Sequence, residues 1–220
     1  MAKEDIGVVG MTVGIGGTNC YFVYRDDKKD HTAEDPVPGV IFDPGDRGGV
    51  IYDRLLEKGL KVSLIVLTHG HYDHILGVAE MREKSGAEVW YLSAEKEMME
   101  DPDFNMSSEI DRPTTVSADR LLEEGDTINE AGLTFKVMAT PGHSPGGACF
   151  YCEEGGFVIA GDTLFQGSIG RTDFRGGDMD TLLDSIRTKL FTLPDDTEVL
   201  PGHMGTSSIG FEKKYNPFLS

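Results

Sequence analysis

Five times along this chain a short apolar run leads into glycine or proline and then into histidine or aspartate: FDPGD at 42–46, LTHGHYDH at 67–74, TPGHSPGG at 140–147, AGDTLF at 160–165 and LPGHMGT at 200–206. This recurrence restricts the fold more than any other feature, because a layered sheet presents side chains from several strand ends at one edge. Runs rich in β-branched and aromatic residues at 20–24, 39–42, 62–67, 88–92, 133–138, 148–151, 156–160 and 198–200 predict short strands. Helical spacing marks 47–58, 73–84, 94–100 and 178–190; in the last, Leu182, Leu183, Ile186 and Leu190 recur on one side. Strands therefore alternate with helices, in an α/β order with several hairpins.

At 220 residues and 39% hydrophobic composition, the chain suits one large domain or two small ones with a real core. A net charge of −18 is the wrong sign for neutralising phosphates along a polynucleotide, which argues against nucleic acid as a partner. The start MAKEDIGVVG has no basic segment followed by an apolar h-region, and no run is long enough to span a bilayer. A cytoplasmic, membrane-free location is the expectation. Three cysteines make no disulfide framework in a chain of this size, which fits a reducing compartment.

Five of the six histidines lie in the edge loops, and three of them share THGHYDH, 68–74, with an aspartate. Imidazole and carboxylate at such density are costly to bury without a partner, so the segment is either a solvated loop or the ligand set of a cation. His69 and His71 are two apart and project to the same side if the chain stays extended after the 62–67 strand. Asp73 and His74 follow where a helix should start, with Asp73 suited to its N-terminus. One segment thereby aims two ligands at one point and two at a neighbouring point. The sixth histidine, His31, sits in the charge run RDDKKDHTAEDP at 25–36, a solvated hairpin tip or insertion, and reads as a plain surface residue.

The order HxHxDH, a lone His in PGHSPG, Asp in GDTLF and His in a late PGH resembles the metallo-β-lactamase fold superfamily. It looks closest to the compact relatives of glyoxalase II, the hydroxyacylglutathione hydrolases. The stretch LFQGSIGRTDF, then a helix and LPDDTEVLPGH, strengthens the link, and the resemblance runs from about Gly14 to Phe218. It implies a four-layered αβ/βα sandwich as a single domain over 1–220, with metals at one edge of two packed sheets. Carried over by position, His69, His71 and His143 hold one metal, Asp73, His74 and His203 the second, and Asp162 bridges both. Asp73 and Asp162 are the expected catalytic residues. Two divalent ions are implied, Zn(II) first, with Fe(II) or Mn(II) also suited to mixed imidazole and carboxylate ligands.

Such ions lower the pKa of a shared water toward ~7 and give hydroxide at neutral pH. A thioester is the attractive substrate, because its thiol, with a pKa near ~8.5, departs without a strong general acid. An amide nitrogen needs a proton at that moment, and no additional histidine supplies it. Asp162 also resembles the thioesterase branch, whereas many β-lactamases of the superfamily carry cysteine there. The expected partner is thus a small thioester, acyl-glutathione or a similar thiol ester. The alternative is a mono-iron persulfide dioxygenase, a relative with a GRTDF-type loop whose iron is held by two histidines and an aspartate. The full set Asp73, His74 and His203 favours the hydrolase and leaves that alternative open.

Three departures from larger glyoxalase II enzymes matter. Only 17 residues follow His203, where those enzymes have a helical domain with glutathione contacts. GRTDF replaces a lysine-bearing segment, which makes Arg171 the candidate for holding a substrate carboxylate, with a salt bridge to Asp173 as the competing reading. Met204 follows His203 where relatives often have glycine, and is expected to pack. GIGGTN at 14–19 lacks the lysine of a P-loop and reads as a turn between strands. Cys149 and Cys152 face opposite sides of a strand and form no joint site. Met98 and Met99 read as packing residues.

Overall fold

Burial sorts the strands before any pairing is drawn. Phe157–Gly161 is buried at every position, as a strand covered on both faces must be, whereas Ile6–Val13 alternates between half-buried and exposed residues. The computed structural model describes residues 5–26 and 30–219, so residues 27–29 of the charge run lie outside it. One six-stranded sheet runs β1 (Ile6–Val13), β2 (Thr18–Arg25), β3 (Val37–Phe42), β4 (Leu60–Val66), β5 (Glu88–Leu92) and β6 (Arg120–Leu122). Its first three strands are antiparallel neighbours, and β3 to β6 are parallel. The second sheet contains β7 (Thr127–Glu130), β8 (Leu133–Ala139), β9 (Ala148–Cys152), β10 (Phe157–Gly161), β13 (Glu198–Pro201) and β14 (Ser207–Ser208), in the order β14-β13-β10-β9-β8-β7. A small hairpin of β11 (Leu164–Phe165) and β12 (Ser168–Ile169) follows β10.

Three apolar layers hold the sheets and helices together. Between the sheets, Phe42 meets Phe135 at 5.2 Å and Phe150 at 5.4 Å between ring centroids, amid Val40, Leu64 and Val137. Outside the first sheet, Ile41, Ile65 and Leu67 pack on Ile51 and Leu55 of α1 (Gly48–Glu57) and on Val78 and Met81 of α3 (Val78–Ser85). Outside the second, Val158, Ala160 and Val199 pack on Leu182 and Ile186 of α5 (Met179–Thr188) and on Ile209 of α6 (Ile209–Tyr215). Three cores separate four layers, which is the αβ/βα sandwich expected. Truncating Phe42 to alanine in the central layer costs about 3–5 kcal/mol.

The structure departs from the sequence reading where glycine permits close approach. The helix expected over 73–84 is two, α2 (Tyr72–Ile75) and α3, because Gly77 seats its backbone on the Pro44 carbonyl; a Cβ there would lie 2.4 Å from that oxygen. β1 escaped prediction because Gly7 and Gly10 interrupt its apolar pattern; a Cβ at Gly7 would lie 2.3 Å from the Tyr24 ring. β6 and β7 are too short for periodicity to register. The charge run does not leave His31 on the surface as expected: it is half-buried, with Nδ1 2.9 Å from the Lys58 carbonyl oxygen and its ring edge-on to Tyr24. Cys149 lies in the core under α5 and Cys152 between the sheets, on opposite faces of β9. Met98 and Met99, on α4 (Lys96–Glu100), are buried packing residues. No helix among the described residues is long and apolar enough to cross a membrane.

Candidate metal centre

All five strand-end loops open on the same edge of the two sheets. After β4 the chain bends at Thr68 and is extended again at His71 (φ −60°, ψ 143°), and His69 and His71 both reach the cluster before α2 begins with Asp73 in its first turn. The loop between β8 and β9 brings His143 beside them. It turns at Gly142 (φ 126°), where a Cβ would lie 2.3 Å from the Leu182 nitrogen, so only glycine fits. Asp162 follows β10 and His203 follows β13. Gly202 lies so near that a Cβ would meet Asp162 Oδ1 at 2.2 Å.

The ligand-type atoms form two groups about Asp162. His71 Nδ1 is 2.9 Å from His143 Nε2, which is 3.2 Å from His69 Nε2. On the other side, His203 Nε2 lies 3.2 Å from Asp73 Oδ2, and His74 Nε2 lies 3.6 Å from the same oxygen. Asp162 reaches both: Oδ2 is 3.6 Å from His143 Nε2 and 3.4 Å from His203 Nε2, and Oδ1 is 3.4 Å from His74 Nε2.

These spacings fit cations. Donors on a tetrahedral ion with bonds of about 2.0–2.1 Å sit about 3.3 Å apart. His74 Nε2 and Asp162 Oδ1 are moreover buried without a hydrogen-bond partner, although each faces the cluster. A buried polar atom left in that state is costly unless something binds it.

Partners behind the cluster fix which ring nitrogen faces inward. His143 Nδ1 donates to the Arg171 carbonyl at 2.7 Å, and His74 Nδ1 donates to Asp43 Oδ2 at 2.9 Å. Thr68 Oγ1 donates to that same Asp43 oxygen at 2.6 Å and lies 3.0 Å from His69 Nδ1. Asp43, 2% exposed, therefore orients one histidine of each group, and its left-handed backbone (φ 50°) turns it back beneath them. Thr18 Oγ1 holds Asp73 Oδ2 at 2.6 Å. Asn19 donates to the Pro201 and Met204 carbonyls at 3.0 and 2.9 Å, tying the His203 loop to the first sheet. Glu95, 1% exposed, accepts from the backbone N–H groups of Gly70 (2.9 Å) and Gly146, and so joins the His69–His71 and His143 loops.

FDPGD puts Asp43 in a strand-end cluster, but nothing local in the sequence assigns it a role. Glu95 left no signal, since its partners are backbone amides far away in the chain. GIGGTN is the β1–β2 turn, and Gly16 lies against Asp73.

The electrostatics of the two groups differ. Burial, reinforced by neighbouring imidazoles, pushes His69 well below its ordinary pKa and His71 down to about 3. His143 is lowered by burial as well. Burial also disfavours protonated His74 and His203, but carboxylates outweigh it: Asp73, Asp162 and Asp43 raise His74 to about 9, and Asp162 and Asp73 raise His203 to about 10. The same attractions overcome burial to hold Asp73 and Asp162 below the usual carboxylate range.

A cavity of about 400 Å³ opens onto Asp73, Asp162 and His203. Its apolar side consists of Met106, Phe165, Ile169, Phe174 and Met204, and its rim includes Tyr72 and Arg171. Met204, expected to pack, is 60% exposed at the mouth, held there by a positive φ of 68°. Arg171 forms a paired, exposed contact with Asp173 at 2.9 and 2.8 Å and lies over the Phe174 ring.

The sequence profile of the metallo-beta-lactamase superfamily matches residues 13–203. A hydroxyacylglutathione hydrolase, GloC, of Haemophilus influenzae is 34% identical over 92% of both chains. The crystal structure of BLEG-1 B3 metallo-beta-lactamase superposes with a TM-score of 0.89 at 39% identity, covering 97% of this chain and all of that one. That of TTHA1623 in a di-iron-bound form gives 0.81 at 33% identity, covering 96% of this chain and all of the other.

Proposed function

The chain belongs to the metallo-beta-lactamase superfamily, and from that membership we propose that it hydrolyses small thioesters at a two-cation centre. His69, His71 and His143 would hold one divalent cation, and Asp73, His74 and His203 the other, with Asp162 between them. When bound, such cations supply an activated water and polarise the substrate carbonyl. Asp73, kept ionised and fixed by Thr18, accepts a hydrogen bond from the attacking water. The acyl group rests against Phe165, Ile169 and Phe174.

The observation that carries the reading is the proton inventory of the cavity. Apart from the groups facing the cations, Tyr72, Ser168 and Arg171 are its protic side chains, and burial holds the Tyr72 phenol above its ordinary value. None is a good acid at neutral pH. A thiolate leaves without one, whereas an amide nitrogen does not. The likeness to GloC supports the same choice.

The likeness to BLEG-1 favours a second reading, β-lactam hydrolysis, and one panel separates the two. Protein loaded with zinc is assayed on a thioester, its matching oxyester and amide, and nitrocefin. Thioester kcat/KM should exceed that of amide and β-lactam by at least about 100-fold, and a faster β-lactam would reverse the assignment.

A further inference from the structure

Beside the catalytic cavity lies a second one, of about 390 Å³, lined by Thr12, Gly14, Ile15, Arg47, Val50 and Arg54, among others. Only the β1–β2 turn separates it from Asp73. A Cβ at Gly14 would lie 3.3 Å from Asp46 Cβ in the second cavity's wall, and one at Gly16 would lie 2.9 Å from Asp73 Oδ2. Residues two apart span at most about 7 Å, so a group held beside Gly14 sits on the order of 10 Å from the reacting carbonyl.

This cavity is cationic in a chain whose net charge is −18. Neither the Arg47 nor the Arg54 guanidinium makes a hydrogen bond or ion pair among the described residues; Arg187 on α5 shares that state but lines no cavity with a second arginine, and Arg25, Arg82, Arg112, Arg120, Arg171 and Arg175 are paired. Asp46, the acid in the wall, spends its Oδ1 on Arg112 at 3.0 Å, so its charge is matched from elsewhere although it also feels Arg47. Arg47 is held at φ 50°, where asparagine or glycine would be less strained. The first turn of α1 behind it carries no acid.

We propose that this cavity is an anion subsite that holds the carboxylate or phosphate of the substrate's thiol carrier, with Arg47 and Arg54 as its recognition residues. The assignment rests on the thioesterase reading and deepens it: the acyl group lies against Phe165 and Phe174, and the carrier crosses the β1–β2 turn. It also gives an acidic protein a local cationic surface for an anionic substrate. Two guanidinium groups concentrate anions locally against the overall repulsion.

The test uses the full chain loaded with zinc. S-Methylglutathione, a carboxylate carrier that lacks the thioester, and adenosine 3′,5′-bisphosphate, a phosphate probe, are titrated calorimetrically. Kinetics then compare two esters of one acyl group, on glutathione and on neutral N-acetylcysteamine. One of the two probes should bind, and the probe that does identifies the anion. Arg54→Glu, and the pair Arg47→Asn with Arg54→Ala, should weaken that binding about tenfold or more and raise the ratio of anionic to neutral KM by a similar factor. Asparagine relieves the backbone at 47, so loss of fold does not mask the result. Lys61→Ala, which removes an exposed cation elsewhere, should leave the ratio unchanged. Absence of binding by either probe, or binding that Arg54→Glu leaves intact, overturns the subsite. If both esters are inert yet the probe binds and Arg54→Glu abolishes it, the subsite stands and the thioesterase reading falls. If the esters are cleaved and the KM ratio does not move, the reverse holds.

Discussion

His69, His71 and His143 on one side of Asp162, and Asp73, His74 and His203 on the other, reach electroneutrality in opposite ways. The first group is buried with its imidazoles crowded against one another, and burial lowers all three rings, His71 to about 3. The second group carries its own countercharge: in metal-free protein His74, at about 9, and His203, at about 10, are protonated at neutral pH beside Asp73 and Asp162. A cation entering the histidine side displaces nothing. One entering the mixed side must displace protons. On the proposed two-cation reading, one side is ready at neutral pH and occupancy of the other is linked to acidity.

Removing the shared residue should affect both sides most. Asp162→Ala is expected to lower bound metal by more than one equivalent where two are found, and turnover by more than the ~10–100-fold typical of an outer partner. Metal analysis beside kinetics checks this; retention of both equivalents would show that Asp162 does not join the two groups.

Asp43→Asn ranks next. It keeps a side chain at ease in a left-handed backbone but replaces an acceptor oxygen with a donor beneath His74 and Thr68. Metal affinity should fall ~10–100-fold on both sides, because His69 is oriented through Thr68. A loss confined to one side would separate the two groups that Asp43 is argued to join.

Acidity should then distinguish the sides. Calorimetry at pH 8 in buffers of different ionisation enthalpy should show proton release with one zinc equivalent and little with the other. Equal release would contradict the comparison. Stability follows the same logic in chelated protein. Raised histidines contribute stability that is fully present below their unfolded pKa of ~6.5 and lost as pH rises through about 9–10. The melting temperature of chelated protein should therefore fall across that window, and zinc should suppress the fall. A flat profile would argue against the charge pairing of His74 and His203.

The smallest effect is expected at Glu95→Gln, which leaves one acceptor for the two N–H groups of Gly70 and Gly146. A cost of about 1–3 kcal/mol, seen as a few degrees in Tm, should spare the mixed side and loosen the histidine side.

The contrast also shows what was legible in the sequence. The seven residues that converge each follow a strand end, and a strand end followed by glycine or proline and a polar ligand leaves a local mark. The four layers were readable for the same reason, since buried strands such as Phe157–Gly161 are apolar throughout. Asp43 was visible as part of FDPGD, but its use was not, because its partners Thr68 and His74 come from another loop. Glu95 and Asn19 act on backbone groups of distant residues, which no spacing encodes. β1 and the break at Gly77 depend on close approaches that exist only once the sheets and helices are packed. The Arg47 and Arg54 cavity escaped likewise, because the β1–β2 turn and α1 that line it come together only in the fold.

The most direct test of the account is turnover under argon by protein of measured zinc content, with S-lactoylglutathione as substrate. Two cations flanking an activated water need neither oxygen nor a change of oxidation state, so cleavage should proceed at the rate seen in air and rise with the second zinc equivalent. Inert thioester, with oxygen consumed on glutathione persulfide by protein holding one iron per chain, would contradict it.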